Sequence, residues 1–352
     1  MSEHVLAINP GSTSTKMAVF SREKLEFELS VSISEEHISK GNVYEEFAFR
    51  KKQIEEELEE HHIDKVDIVI GRGGILRPMK SGAYPVCDKM IEDLKVAKYG
   101  SHASNLGAPL AKHFGKKYNA PSYIIDPVVV DEMWRIARIS GVPGIERKSL
   151  LHTLNIKATT HRICEEKGWN IENENFIVAH MGGGITVCAM SNDHIIDVNN
   201  ALLGMGPFSP ERAGATPLGG ILDLVFKKGM KEAELKRLLS RESGLKGYLG
   251  TNDVREVVKR IKAGDEYAKL ILDAMFYQIS KEVGAMAAVL DFNVKAVIFT
   301  GGIAYGDYAM GELRRHLGGQ FQIEVSPGEN ELEAMKAGGF RILDKKMKMY
   351  EY

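Results

Sequence analysis

Two stretches of the chain share one build, and that constrains its fold more than anything else. In the first, apolar Val5–Ile8 leads through Asn9-Pro10-Gly11-Ser12-Thr13-Ser14-Thr15-Lys16 into apolar Met17–Phe20. In the second, Phe176–Ala179 leads through His180-Met181-Gly182-Gly183-Gly184-Ile185-Thr186 into Val187–Met190. Each reads as apolar strand, Gly/hydroxyl turn, apolar strand. One lies near the start of each half of a 352-residue chain. The pattern predicts an internal duplication over two domains, with a polyphosphate held between the halves.

Composition removes several classes of function. The formal net charge is −2, so there is no basic field to hold nucleic acid or anionic lipid. The first residues show no basic segment followed by an apolar one, and no apolar run is long enough to span a bilayer. A cytoplasmic protein with no nucleic-acid or membrane partner is expected. Cys87, Cys164 and Cys188 form no CxxC pair and read as free thiols in a reducing compartment.

The rest of the pattern is α/β. Leu25, Phe27, Leu29, Val31 and Ile33 alternate with polar residues, as in a half-exposed strand. Helices are expected over 43–62, 87–98, 105–118, 152–168 and 265–290, and a last one from about Asn330. Short strands are expected at 66–70, 123–125, 194–198, 296–300 and 321–325. His61-His62 lies at a helix end and reads as solvated. Residues 199–220 form a long Gly/Pro-rich loop, a length that usually carries function. Arg72, in Gly71-Arg72-Gly73-Gly74, and Asp126, before Pro127, both fall at strand ends, where α/β sheets collect ligands.

The turns have chemistry of their own. Backbone N–H groups in a tight Gly-rich turn make an anion-binding concavity. Ser12 and Ser14 add hydroxyls, Lys16 adds a point charge, and Asn9 offers a carbonyl suited to a metal-bound water. A hairpin whose hydroxyls satisfy only local backbone is the alternative. Gly182, Gly183 and Gly184 leave backbone open to close approach by a phosphate, and His180 can donate to a phosphate oxygen. Thr300-Gly301-Gly302-Ile303 is a third Gly-rich strand exit, where a flat base or a ribose can lie against backbone.

These residues carry a resemblance. Strand–turn–strand in both halves plus a late T-G-G-I resembles the actin-like and sugar-kinase (ribonuclease H-like) superfold. Within it the chain resembles the acetate/butyrate kinase (acetokinase) family. The matching motifs run almost end to end: I-N-P-G-S-T-S-T-K, G-R-G-G, S-H-A-S-N-L-G, I-I-D-P, R-K-S-L-L-H, H-M-G-G-G-I-T, S-P-E-R-A-G-A-T-P, T-N-D-V-R and F-T-G-G-I. The resemblance implies an α/β fold of two duplicated actin-like domains. Residues 1–129 with 332–352 would form the acid and phosphate side, and 130–331 the nucleotide side. It implies a magnesium-dependent kinase that transfers a phosphoryl group between ATP and a short-chain carboxylate, and at least a homodimer.

The same resemblance assigns roles. Arg72 would hold the substrate carboxylate, since a planar guanidinium grips two oxygens. Arg212 would stabilise the transferring phosphoryl group, helped by His152 and His102. Asp126 matches the catalytic carboxylate. It could act as a base or position other groups, and a carboxylate substrate needs no base, being already ionised. Asn9 and Glu331 match metal positions. Lys16, His180, Gly182 to Gly184, Asp253, Arg255 and Gly301 to Ile303 match nucleotide contacts.

Departures from the acetate-kinase form point to the family's butyrate branch: a bare Gly71-Arg72-Gly73-Gly74 exit, Glu211-Arg212-Ala213-Gly214-Ala215 around the loop arginine, and Ala304-Tyr305-Gly306 after the adenosine turn. A pocket for added methylenes gains about 0.8 kcal/mol for each one buried; Leu151 and Leu203 are the candidate lining. Branched acids, propionate and acetate are the alternative substrates. A non-catalytic actin-like nucleotide-binding module and a sugar kinase are readings of other classes.

Overall fold

The structure, a computed structural model, describes residues 3–34, 39 and 42–352. The chain divides into two compact units. Unit 1 holds residues 1–131, 153–158 and 330–352; unit 2 holds 132–152 and 159–329.

Unit 1 is built on a six-stranded sheet. Its strands are β1 (His4–Pro10), β2 (Ser14–Ser21), β3 (Leu25–Ser32), β4 (Ile68–Arg72), β5 (Ala83–Pro85) and β6 (Ser122–Ile125), in the order β3-β2-β1-β4-β6-β5. The hairpin β1–β2 and its neighbour β3 are antiparallel, whereas β1, β4 and β6 run parallel. Strand β1 is buried along almost its whole length, as expected of a strand covered on both faces. Strand β3 alternates half-buried and exposed residues because it is an edge. Helices α1 (Phe47–Glu60), α2 (Asp88–Lys95) and α3 (Gly107–Tyr118) follow in this unit. Leu6, Ile8, Val69, Ile54, Leu58, Leu110 and Phe114 form the core between sheet and helices. Gly71 and Gly107 let β4 and α3 touch: a Cβ on Gly107 would stand 2.1 Å from the Arg72 carbonyl oxygen.

Unit 2 repeats the scheme after a short helix, α4 (Arg135–Arg138), and α5 (Thr153–Lys167), whose first residues, 153–158, belong to unit 1. Strands β7 (Asn175–Met181), β8 (Ile185–Ser191), β9 (His194–Val198), β10 (Ala296–Gly301) and β11 (Ile323–Pro327) are ordered β11-β10-β7-β8-β9. Here too a hairpin and its neighbour are antiparallel, and β7, β10 and β11 run parallel. Read as β9-β8-β7-β10-β11, this is the order of β3-β2-β1-β4-β6. The duplication expected from the two hairpins is therefore present in strand order and direction, not only in the turns.

Helices α6 (Leu218–Phe226), α7 (Glu232–Arg241), α8 (Gly244–Leu249), α9 (Val254–Lys262), α10 (Glu266–Val289) and α11 (Asp307–Leu317) complete unit 2, and α12 (Glu331–Leu343) returns to unit 1. The unit 2 core is the sheet packed on α10, with Met275, Phe276, Ile279 and Val283 against Ile177, Val187 and Phe299. Among the described residues no helix is long and apolar enough to cross a membrane.

Candidate active site

In unit 1, three parallel strands bring their carboxyl ends together. Ile8 pairs with Gly71, which sets Asn9 beside Arg72, and Arg72 pairs with Ile125, the residue before Asp126. Asn9, Arg72 and Asp126 therefore occupy neighbouring positions along one sheet edge, where ligands collect in such folds. Glu331, the first residue of α12, joins them from the far end of the chain. The Arg72 guanidinium pairs with the Glu331 carboxylate at 2.6 Å and donates to Asn9 Oδ1 at 3.1 Å. Asn9 Nδ2 in turn donates to Glu331. Arg72 and Glu331 keep 20% and 16% of their side-chain surface, so the group is partly shielded yet reachable.

The turn beside this group spans Gly11 to Thr13 and closes with Gly11 N–H donating to the Ser14 carbonyl at 2.7 Å. Ser12 and Lys16 are exposed and Ser14 is half-buried. Ser14 and Lys16 share one face of β2 because strand side chains alternate. On the opposite face Thr15 is buried and accepts from Arg50 Nη1 at 2.9 Å, and the same nitrogen reaches the Ser14 carbonyl at 3.2 Å. Arg50 is fully buried and paired with Glu46, one helical turn earlier, at 2.6 Å. Burial pushes its guanidinium pKa down, and the Glu46 carboxylate opposes that. Arg50 thus supports the turn from beneath. The sequence reading saw only a charged helix there; the i,i+4 Glu46–Arg50 pair was the available signal.

Asp126 is buried and has a φ of 41°, in the left-handed region. Such a conformation costs about 1–3 kcal/mol and persists only where the surroundings impose it. Its Oδ1 accepts from Ser81 Oγ at 2.7 Å and from Gly82 N–H at 2.8 Å. His102 is exposed and caps a 3-10 turn, its Nδ1 accepting from Ser104 N–H at 3.2 Å.

In unit 2 the second turn carries the corresponding edge. Thr300 pairs with His180, and a Cβ on Gly301, at φ 87°, would stand 2.4 Å from the Met181 carbonyl oxygen. The Gly182–Gly184 turn and the Gly301-Gly302-Ile303 exit are therefore adjacent. The His180 ring is buried and stacks on His152, centroids 4.1 Å apart at 20°. His152 Nδ1 lies 2.9 Å from the hydroxyl of buried Thr186. Arg212 comes to the same turn from the long loop: a Cβ on Gly184 would stand 2.0 Å from its Nη1. A side chain at 184 would displace the Arg212 guanidinium from the turn.

Ser209 ties that loop down. Its hydroxyl donates to the Gly183 carbonyl at 2.6 Å and accepts from Arg212 N–H at 3.1 Å. Nothing local in the sequence distinguishes this serine. Arg212 Nη1 donates to the Ala201 carbonyl at 2.5 Å, while its buried Nε has no hydrogen-bond partner. No carboxylate among the described residues forms an ion pair with it, and burial lowers its pKa. A partly desolvated guanidinium keeps an idle donor here, and such a donor is costly to leave unpaired. Leu203 lines the recess beside Arg212 with Ile185 and Pro207, whereas Leu151 is buried.

Asp253 and Arg255 form a local unit. Asp253 caps α9 through Arg255 N–H at 2.8 Å and pairs with the Arg255 guanidinium at 2.7 Å, which draws its pKa down to about 2. The Arg255 side chain is 88% exposed.

Gly183 and Gly302 are among the glycines that neither packing nor backbone requires to be glycine. A Cβ on Gly183 or Gly302 would meet nothing within 4 Å, and neither has positive φ. Both positions therefore have room beside the two Gly-rich turns. Gly183→Ala and Gly302→Ala are each expected to leave the melting temperature unchanged and to raise KM for ATP about tenfold, ~1.4 kcal/mol of binding. Thermal melting alongside initial rates checks this.

Comparison with known proteins agrees with this geometry. A protein-family model described as the Acetokinase family matches residues 144–334. A "Probable butyrate kinase" of Listeria monocytogenes is 46% identical over 355 residues, covering 100% of both chains. Another so named, from Clostridium botulinum, is 45% identical, covering 99% of this chain and 100% of its own. Two crystal structures share the fold at 19% identity. One is an acetate kinase from Porphyromonas gingivalis (TM-score 0.75, covering 97% of this chain and 100% of that one). The other is a propionate kinase from Francisella tularensis (TM-score 0.76, covering 95% and 98%). The fold is thus the duplicated, two-domain actin-like and sugar-kinase fold. With near-complete coverage at this identity, the chain belongs to the acetokinase family.

Proposed function

We propose that the protein transfers a phosphoryl group between ATP and a short-chain carboxylate, with butyrate as the preferred acid: butyrate and ATP give butyryl phosphate and ADP. A carboxylate oxygen attacks the γ-phosphorus, the bond from that phosphorus to the β–γ bridging oxygen breaks, and ADP leaves with the bridging oxygen. No proton needs to be removed, because the acid is ionised near neutral pH. Work of this kind is positioning and charge stabilisation.

The observation that carries the reading is Arg212: a guanidinium shielded from water, without a carboxylate partner, packed against the bare backbone of Gly184. Its role is to meet the charge spread over the transferring phosphoryl oxygens. His152 and His180, stacked and fixed through Thr186, serve as donors to the same group. Ser12, Ser14, Lys16 and the Gly182–Gly184 turn hold the phosphates, and Gly301 to Ile303 take the nucleoside side. Arg72 receives the acid. Asp126, accepting from Ser81 and Gly82, orients rather than deprotonates. The local pairing of Asp253 with Arg255 gives these two residues the helix-cap role in preference to a nucleotide contact.

Asn9 and Glu331 suit magnesium by donor type, since both offer hard oxygens. No group of three or more His, Cys, Asp or Glu that could hold a metal exists among the described residues. That fits an ion brought in by the nucleotide, which keeps its waters and most of its phosphate ligands. When bound, it neutralises charge on the β- and γ-phosphates.

The test is a hydroxylamine trap for acyl phosphate, run with magnesium-ATP and a panel of C2 to C6 straight and branched acids. Butyrate is expected to give the highest kcat/KM. A maximum at acetate or at isobutyrate would reassign the acid within the class.

A further inference from the structure

We propose that residues 347–352 and the Ser81-Gly82 turn beneath them form the positioning element for the Asp126 carboxylate. This rests on the reading of Asp126 as the carboxylate of the site. All the contacts lie within unit 1.

Asp126 cannot hold its own geometry. Its φ is strained, and Pro127 further restricts it. One turn supplies three of the hydrogen bonds that fix it. Ser81 Oγ and Gly82 N–H both donate to Oδ1, and Asp126 N–H donates back to the Gly82 carbonyl at 3.1 Å. One carboxylate oxygen is thereby committed to the turn, and the orientation of the other follows from it.

The turn is itself held from the other side. Gly82 has φ 146°, and a Cβ there would stand 2.7 Å from the Lys348 carbonyl oxygen and 2.8 Å from the Tyr350 ring. Glycine at 82 therefore admits the passing chain. Ala83 N–H donates to the Lys348 carbonyl at 2.9 Å, and Tyr350 N–H donates to the Ala83 carbonyl at 3.0 Å, a parallel bridge that extends the sheet edge at β5. The Tyr350 ring packs on Tyr84 at 5.6 Å, and the Tyr84 hydroxyl closes the turn by donating to the Lys80 carbonyl at 2.9 Å and accepting from Lys80 N–H at 3.0 Å. Tyr352 anchors the end, its hydroxyl donating to Asp93 at 2.8 Å under the Arg77 guanidinium. The segment runs over the back of the turn and presses its donors toward Asp126. Ser81 and Tyr350 are positioning residues; they act through Asp126.

The experiment is a double-mutant cycle on the full-length protein. Ser81→Ala is expected to lower kcat about 10- to 100-fold, with KM for ATP and the melting temperature unchanged, and Ser81→Thr to keep most of the rate. Tyr350→Ala is expected to follow Ser81→Ala in direction, and Tyr350→Phe to stay at the parent rate. In an Asp126→Asn background, whose residual rate is followed over long incubations, Ser81→Ala is expected to change kcat less than about twofold. An equal loss in both backgrounds, or a parent-like kcat for Ser81→Ala beside a crippled Asp126→Asn, would overturn the inference and leave the kinase reading intact. A parent-like kcat for Asp126→Asn itself would retire the role of Asp126, and the inference with it.

Discussion

Arg212→Ala is expected to lower kcat about a thousandfold, the scale seen when one donor aimed at developing charge is removed. KM for ATP should move little, because the phosphates keep Lys16, Ser12, Ser14 and the backbone of the Gly182–Gly184 turn. The protein should not lose much stability. The Arg212 side chain has a buried Nε with no partner and makes only one hydrogen bond, to Ala201, so its folded state bears a desolvation cost that alanine removes. Loss of rate without loss of folding separates a group placed for the reaction from one placed for the fold. Arg212→Lys should recover little, since an ammonium is a point charge that cannot reproduce the planar fork. Steady-state kinetics with thermal melting reads both quantities. A kcat within threefold of the parent would remove Arg212 from the reacting centre.

The largest effect on stability is expected at Arg50. Arg50→Ala leaves Glu46 buried without its cation, and it strips donors from the Thr15 hydroxyl and the Ser14 carbonyl. Breaking a buried pair by removing one partner costs about 3–5 kcal/mol. Urea unfolding should show this as an earlier transition. Replacing both members with apolar residues, Glu46→Leu with Arg50→Met, should restore much of the stability, because no uncompensated charge remains. It should not restore ATP binding in full, because the Ser14 carbonyl keeps the Gly11 N–H but loses the Arg50 donor beneath the turn. A change below about 1 kcal/mol for Arg50→Ala would mean that the pair contributes nothing to the fold.

The contrast between Arg212 and Arg50 shows what a sequence can and cannot reveal. The two hairpins were legible because their signal is local: apolar runs and a turn rich in glycine and hydroxyls. The long loop of 199–220 and the strand ends at Arg72 and Asp126 were legible for the same reason, from glycine, proline and an apolar run that stops. Duplicated sheet order followed from the hairpins. The supporting residues were not legible. Ser81, Ser209 and Arg50 act through partners 45, 26 and 35 positions away, and a serine or arginine in isolation carries no trace of that. Strand β5 was missed because three residues show no period. Gly71, Gly73, Gly74 and Gly107 each face protein where a Cβ would stand. Gly183 and Gly302 are among those with open space there instead, and only coordinates separate the two kinds.

The central claim is that one phosphoryl group moves intact from ATP to a fatty acid, met by the half-buried guanidinium of Arg212. It is tested most directly by phosphorus NMR of the purified protein with magnesium-ATP and butyrate. Butyryl phosphate and ADP are expected to appear in equal amounts, and both signals to vanish in Arg212→Ala. Inorganic phosphate growing in place of an acyl phosphate, with butyrate and every other C2 to C6 acid, would contradict it.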